Sequence, residues 1–418
     1  MLDIHGNKKR LDAIKRRIFE GSSHKSSPVG PIESERNREF IQKFMTECIK
    51  RNISTTRTVF YLGKIERLTR KYITKDYDKL TEDDILAIVE KIRNCGYAKY
   101  SVTGNLISLR KFLQIVHGFR WDSKQYPECI KYINTGAGSR EMEIDVFSEE
   151  QIKSMVRNAK TIKEKAMISF MYESACRTPD EFLHVKIKDI SFTDYGAKIN
   201  LFSHKTGKKR TLPLVICVPH LKDWIKLHPD PKSESYLWVN GARSKNCSNV
   251  MGYRTLVNYF KGWRDGIGVD NPKLTLYSFR RTRATHLSQK LNHTNLCMFM
   301  GWSLNTTVAS HYIQQSASAL EGSIMNLYGL EQGQDNSIKP NMCPRCKGMT
   351  SPEEEYCKQC SLPLSEMAMV EAEDKKKVEM EAMIEMLIQK RMEELKTESL
   401  KKIVAIPLKT NFRKENEN

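Results

Sequence analysis

Tyr312 closes the stretch Met300-Gly-Trp-Ser-Leu-Asn-Thr-Thr-Val-Ala-Ser-His-Tyr312, roughly thirty residues after an arginine-rich run, Tyr277-Ser-Phe-Arg280-Arg-Thr-Arg-Ala-Thr-His286. A phenol that opens onto a phosphodiester can become covalently esterified to the phosphate, provided that nearby cations neutralise the charge building on the non-bridging oxygens. Arginine suits that task, because its planar fork grips two phosphate oxygens and stays protonated. A second chemical signature lies downstream. Cys343-Pro-Arg-Cys346 and Cys357-Lys-Gln-Cys360 are two C-x2-C knuckles ten residues apart, a spacing that suits a closed, structural four-thiolate zinc site. Iron also accepts four thiolates, but zinc is the expected metal. So small a module cannot bury enough core alone, so the metal would fold it.

The composition sets the context for both. With 418 residues, two or three domains are expected. A formal net charge of +19 predicts a polyanionic partner, and nucleic acid fits better than a membrane because no segment approaches about 18 uninterrupted apolar residues. Residues 1 to 24 are basic but lack the apolar stretch of a secretory signal, which predicts a cytoplasmic, DNA-associated protein. Cys48, Cys95, Cys129, Cys176, Cys217, Cys247 and Cys297 lack framework spacing and read as reduced.

The elements that must position these residues follow from periodicity. Residues 1–33 are basic and carry no sustained period, so a flexible arm is expected. From Glu35 to His117, apolar residues at spacings of three and four describe about four amphipathic helices, with Thr81 as the N-cap of the third. Between their apolar stripes lie Arg57, Lys64, Arg67, Arg70, Lys71, Lys99, Arg110 and Lys111, which suit either phosphate contact or a solvated face. Asn134-Thr-Gly-Ala-Gly-Ser-Arg marks a linker, and Ser148-Glu-Glu-Gln151 opens a helix with a capping box. Residues 166–175 read as a central buried helix, 187–192 as a strand, and 197–202 with 210–218 as a hairpin closing on Lys205-Thr-Gly-Lys-Lys. Helical sequence resumes near Gly252, with breaks at Pro272 and Gly301, and Glu366 to Lys402 is a charged helix for a partner or for its own domain.

Taken together, residues from about Glu35 to Leu327 resemble a tyrosine recombinase of the phage integrase family, in particular archaeal integrases, over about 70% of the chain. The resemblance places a first arginine at Arg177, in Ser174-Ala-Cys-Arg177-Thr-Pro-Asp-Glu181. Here Ala175 stands where the family has glycine, and the supporting acid is Asp180 or Glu181. It places the family's hairpin lysine at Lys205, with Lys208 as the rival, and gives it the role of protonating the departing 5′ oxygen. Arg280 matches the second clamp. Tyr277 replaces the usual histidine, which keeps a hydrogen-bond donor and loses an imidazole base. Gly301-Trp302-Ser303 matches the third box, and Tyr312 is the nucleophile, with Tyr328 a weaker rival and His311 a surface residue.

The implied catalytic set is therefore Arg177, Lys205, Tyr277, Arg280, Trp302 and Tyr312, with structural zinc on Cys343, Cys346, Cys357 and Cys360. The implied fold is mainly α with a small β-sheet (α+β). It has a flexible arm (1–33), a helical SAM-like core-binding domain (34–133), a linker (134–146), a catalytic domain (147–330), a zinc ribbon (340–363), a charged helix (364–402) and a tail (403–418). The implied activity is site-specific recombination of double-stranded DNA through a 3′-phosphotyrosine, without a catalytic metal or nucleotide. The helical amino-terminal domain and the catalytic domain would form a clamp on the DNA, and a homotetramer would assemble on two sites. A tyrosine-type topoisomerase and a DNA-binding protein with a degenerate site are the alternatives.

Overall fold

A computed structural model describes residues 3, 6–22, 28–136, 145–204, 206–240, 250–309, 312, 328, 338, 341–351 and 353–404. The chain divides into two compact units, one of Met1–Asp145 with Val250–Val257 and one of Val146–Asn249 with Asn258–Asn418. The centre of the expected linker, 137–144, falls outside the described residues.

The first unit is built from α1 (Asn7–Phe19), α2 (Glu35–Lys50), α3 (Thr55–Tyr72), α4 (Glu82–Arg93) and α5 (Lys99–Val116). Short polar side chains start three of them: the hydroxyl oxygens of Ser34, Ser54 and Thr81 accept from Asn37, Arg57 and Asp84 N–H groups, satisfying helix-end donors that would otherwise stay unpaired. Their apolar stripes meet in one core around Ile41, Phe44, Leu62, Leu113 and Tyr77.

Residues 1–33 depart from the expected flexible arm. They hold α1, whose Ile14 and Ile18 are buried in that core, and Arg17 makes two hydrogen bonds of 2.8 and 2.7 Å to the carboxylate of Glu66 on α3. The basic composition concealed an amphipathic period, because Lys and Arg occupy the outer face and only a few positions carry the apolar stripe. Several of the basic residues between the stripes are likewise used inside the unit. Lys64 donates to Asn105, Arg70 to the Arg17 carbonyl, Arg110 to the Ile133 carbonyl and Lys111 to Gln114 and the Trp121 carbonyl. Arg67, Lys71 and Lys99 remain exposed.

The second unit places α6 (Glu149–Arg157), α7 (Ile162–Ser174), α8 (Asp180–His184), α9 (Val218–Lys226), α11 (Ser278–Ser288) and α12 (His293–Met300) beside an antiparallel sheet. α10 (Tyr253–Gly266) precedes α11 in the chain. The sheet has the order β1 (Ile190–Thr193), β2 (Gly196–Ser203), β3 (Lys208–Leu214). The register pairs Ser203 with Lys208, which leaves residues 204–207 between the two strands. The second hairpin strand was expected to reach residue 218 but stops at Leu214. There the Glu173 carboxylate of α7 accepts from the N–H groups of Val215, Ile216 and Cys217, ending the ladder and leading into α9. α7 is buried on nearly every side, as its continuous apolar run requires.

The two cysteine knuckles form a small module with a hairpin of β4 (Asn341–Met342) and β5 (Met349–Thr350), followed by α13 (Glu366–Val404). The module docks on α9: Glu353 pairs with the buried His220, and Lys358 Nζ lies 2.7 Å from Asp223. Ala368 near the start of α13 is buried, whereas the apolar residues from Met380 to Leu395 are exposed. No described helix is long and apolar enough to cross a membrane.

The docking of α1 has a direct test. Ile18→Ala removes a fully buried side chain and should lower the unfolding free energy by about 3 kcal/mol in urea titration. A loosely tethered arm would show no change.

Candidate active site

Two helix ends carry the site. α7 ends in a left-handed cap at Ala175 (φ 46°) and α12 in one at Gly301 (φ 66°), so the last carbonyls of both helices are turned out of their own hydrogen-bond ladders. Arginines take them up. Arg280 on α11 donates from Nη1 to the Ala175 carbonyl at 2.6 Å and from Nη2 to the Met300 carbonyl at 2.5 Å. Arg210 on β3 donates to the same two carbonyls, at 2.8 Å to Met300 and 3.4 Å to Ala175. Arg177 reaches the Gly301 carbonyl at 3.4 Å. Helix C-termini carry partial negative charge, which is the physical reason that guanidiniums gather there.

The full negative charge comes from Glu181. Its carboxylate accepts from Arg177 Nη1 at 2.5 Å, from the Arg177 backbone N–H at 2.9 Å and from Arg210 Nη2 at 2.8 Å. Burial alone would push its carboxyl above the usual range, but Arg210, the Arg177 N–H and the two further guanidiniums outweigh it and hold the carboxyl below that range. Burial in turn pushes the Arg210 guanidinium down to about 10, against the opposing pull of Glu181. Of the two acids offered by the sequence, Glu181 therefore supports Arg177, and Asp180 points to a different cluster.

Tyr312 stands beside this network. Its ring stacks on Trp302 with centroids 5.4 Å apart and planes at 17°, and the Arg280 guanidinium carbon lies 5.8 Å from the Trp302 centroid. Tyr312 is only 6% exposed. Burial raises its phenol above the ordinary value, the Tyr277 hydroxyl adds to that, and Arg281 and Arg280 oppose it. Tyr277 sits at the solvent edge, 38% exposed, with the Arg281 guanidinium 5.6 Å from its ring centroid. Tyr172 and His286, from α7 and α11, meet at 3.0 Å. There burial pushes the imidazole down to about 4, so it stays neutral at physiological pH.

The structure thus brings together Arg177, Arg280, Trp302 and Tyr312, with Tyr277 at the rim. Lys205 and His311 lie outside the described residues. Lys208 is exposed at the start of β3, and Tyr328 is 73% exposed. Arg210 was not singled out as a site residue. The signal for it was parity: on β3 the inward positions are Leu212 and Leu214, and an arginine at 210 continues that inward face.

In the cysteine module, Cys343 and Cys360 sulfurs lie 3.4 Å apart and those of Cys346 and Cys357 3.6 Å apart. All four lie within 4.8 Å of one another. Tetrahedral coordination at about 2.3 Å separates sulfurs by roughly 3.8 Å, so the set fits one zinc-sized ion. The knuckles match in backbone form: the residue after each second cysteine, Lys347 or Ser361, has a positive φ and donates its N–H back to Cys343 or Cys357. The Cys346 N–H contributes most to drawing the Cys343 thiol down to about 6, favouring a thiolate.

Residues 145–319 match the phage integrase family. Among solved structures, the chain is similar to a lambda integrase dimer bound to a COC′ core site (14% identity, TM-score 0.52, 67% of this chain and 95% of that one). It is also similar to the Tn1549 transposon integrase in complex with transposon right end DNA (12%, 0.50, 69% and 99%). A third similar structure is the XerH site-specific recombinase bound to a palindromic difH substrate (16%, 0.50, 76% and 95%). At these identities the likeness is one of fold. No curated protein matches the chain.

Removing the charge of Glu181 tests the network. Glu181→Gln should cost about 3–5 kcal/mol at neutral pH, because Arg177 and Arg210 lose a buried counter-charge. The sign with pH follows from the depressed carboxyl. Its contribution is fully present above the unfolded-state value of about 4.3 and is lost as the pH falls through the lower folded value. Urea midpoints of wild type and variant should therefore converge below about pH 4; parallel curves would show that Glu181 carries no such role.

Proposed function

From a chain whose residues 145–319 belong to the phage integrase family, we propose a site-specific DNA recombinase that cuts and rejoins strands through a 3′-phosphotyrosine on Tyr312. The observation that supports it most is the stack of Tyr312 on Trp302 beside a buried Arg280 and the Arg177–Glu181–Arg210 network. The phenolate oxygen attacks the scissile phosphorus, a P–O bond to tyrosine forms, and the bond to the 5′ oxygen breaks. Arg177 and Arg280 hold the non-bridging oxygens as charge builds on them, and Arg210 positions both through the shared carbonyls and Glu181. Lys205 donates a proton to the departing 5′ oxygen. A 5′ hydroxyl from a second duplex then attacks the phosphotyrosine, releases Tyr312 and restores the phosphodiester. One ester bond is exchanged for another at each step, so no nucleotide is consumed.

The phenol is raised by burial, so its proton must leave as attack proceeds. Tyr277 stands in the place of an imidazole, and cleavage should accelerate as the pH rises from 6 to 9. The excess of 19 positive charges suits a double-stranded DNA partner. The lambda integrase tetramer bound to a Holliday junction motivates a tetramer on two sites for this chain. Cys343, Cys346, Cys357 and Cys360 would hold a structural zinc ion that folds the module against α9.

Nicked suicide duplexes bearing the cognate site test the chemistry. Wild type should accumulate a covalent protein–DNA adduct and Tyr312→Phe none; an undiminished adduct in that variant would overturn the assignment. Tyr277→His should flatten the pH–rate profile above about pH 6.5, the ordinary imidazole value, as a base becomes available. Relaxation of any plasmid at low protein concentration would favour topoisomerase activity instead. For the module, Cys357→Ser with Cys360→Ser should release bound zinc and lower the melting temperature, and an unchanged zinc content would refute the four-thiolate site.

A further inference from the structure

The Asp180 side of α8 holds a cluster that recombination does not use. Asp180 and His184 lie on one turn of α8, and His204 follows the last residue of β2, immediately before Lys205. One ligand atom from each of the three lies within 4.8 Å of the other two. Asp180 Oδ1 is 3.3 Å from His204 Nδ1, and the two imidazole centroids are 4.1 Å apart. The tautomer of His184 is set by its neighbour. A carbonyl only accepts, so Nδ1–H donates to the Asp180 carbonyl at 2.7 Å, and the lone pair of neutral His184 is on Nε2.

Three atoms are left over. His184 Nε2, His204 Nδ1 and Asp180 Oδ2 are each shielded from solvent and have no hydrogen-bond partner among the described residues. Buried polar atoms are normally satisfied, and a group of three from two adjoining segments requires a cause. Protonation does not supply it. One imidazolium can pair with Asp180 but leaves the other ring's nitrogen unpaired, and a second at 4.1 Å would repel the first. A divalent cation satisfies all three atoms. The donor set of two imidazoles and a carboxylate suits zinc and its first-row neighbours rather than magnesium or calcium, which take oxygen ligands. The His184 Nδ1 bond to a carbonyl is the outer support that metal-bound histidines usually have.

We propose that Asp180, His184 and His204 form a second metal site, distinct from the four cysteines, which takes a zinc-class divalent cation. The ion ties the first turn of α8 to the end of β2. On one flank of it, Glu181 holds Arg177 and Arg210; on the other, the chain enters Lys205. Metal binding stands on the three side chains alone. Its consequence, a fixed distance between the arginine network and the lysine turn, rests on the recombinase reading above.

The test is metal content rather than recombination. The full chain is equilibrated with zinc, freed of unbound ion on a desalting column and analysed by elemental mass spectrometry. A His184→Gln/His204→Gln double variant, checked for wild-type circular dichroism, should carry about one ion fewer than wild type. His204→Gln alone, at the turn, and Asp180→Asn give the same reading should the double variant misfold. With cobalt in place of zinc, the wild-type-minus-variant spectrum should show weak visible bands without the near-ultraviolet thiolate-to-metal charge transfer that a four-cysteine site produces. Equal metal content in wild type and folded variants would overturn the proposal, as would a difference spectrum of thiolate type. Failure of the Tyr312→Phe adduct test would leave this result untouched, so the two readings fail separately.

Discussion

Gathering guanidiniums in a protein interior is the constraint around which the second unit is organised. Arg280 is 1% exposed, and Arg177 and Arg210 are largely covered, yet among the described residues only Glu181 of their direct partners carries a full negative charge. The remaining compensation comes from the carbonyl ends of α7 and α12, which share Ala175 and Met300 between two arginines each. Backbone carbonyls neutralise only in part, so the cluster keeps a net positive charge, which suits the phosphate of the proposed reaction. A site fully neutralised by carboxylates would be more stable and would have little attraction for an anion.

That arrangement explains the two left-handed caps. A helix that continued past Ser174 or Met300 would spend its last carbonyls on its own ladder and turn none toward the arginines. Glycine at 301 meets the conformational demand without strain, and a Cβ there would come within 3.0 Å of Arg210 Nη1. At 175 the chain has alanine in the same region at φ 46°, which carries a modest steric cost, on the order of 1 kcal/mol. The surrounding hydrogen bonds to its carbonyl hold it there.

Much of this was legible in the chain. The capping hydroxyls of Thr81 and Ser148, the buried run of α7 and the knuckle spacing all act over a few residues, where sequence and physics coincide. Three features were obscured. α1 reads as a basic arm because its apolar stripe is narrow and its outer face is crowded with Lys and Arg. The choice between Asp180 and Glu181 depends on which way one helical turn faces, since adjacent positions differ by about 100° around the axis. Arg210 required knowing that β3, from position 210 onward, turns its even positions inward, toward α7 and α12.

The sequence by itself determined the chemical inventory: a tyrosine, a ring of arginines, a tryptophan and four paired cysteines, each recognisable because its reactivity depends on residue type and on local spacing. Tertiary structure alone decided how they are shared. Glu181 serves Arg177 and Arg210 while its neighbour Asp180 turns toward His184 and His204, and Trp302 comes to lie against Tyr312. The physical reason is distance: Coulombic partners and helix-end carbonyls act across a few ångströms of space, and residues 29 to 124 positions apart in the chain meet there only once the fold has closed.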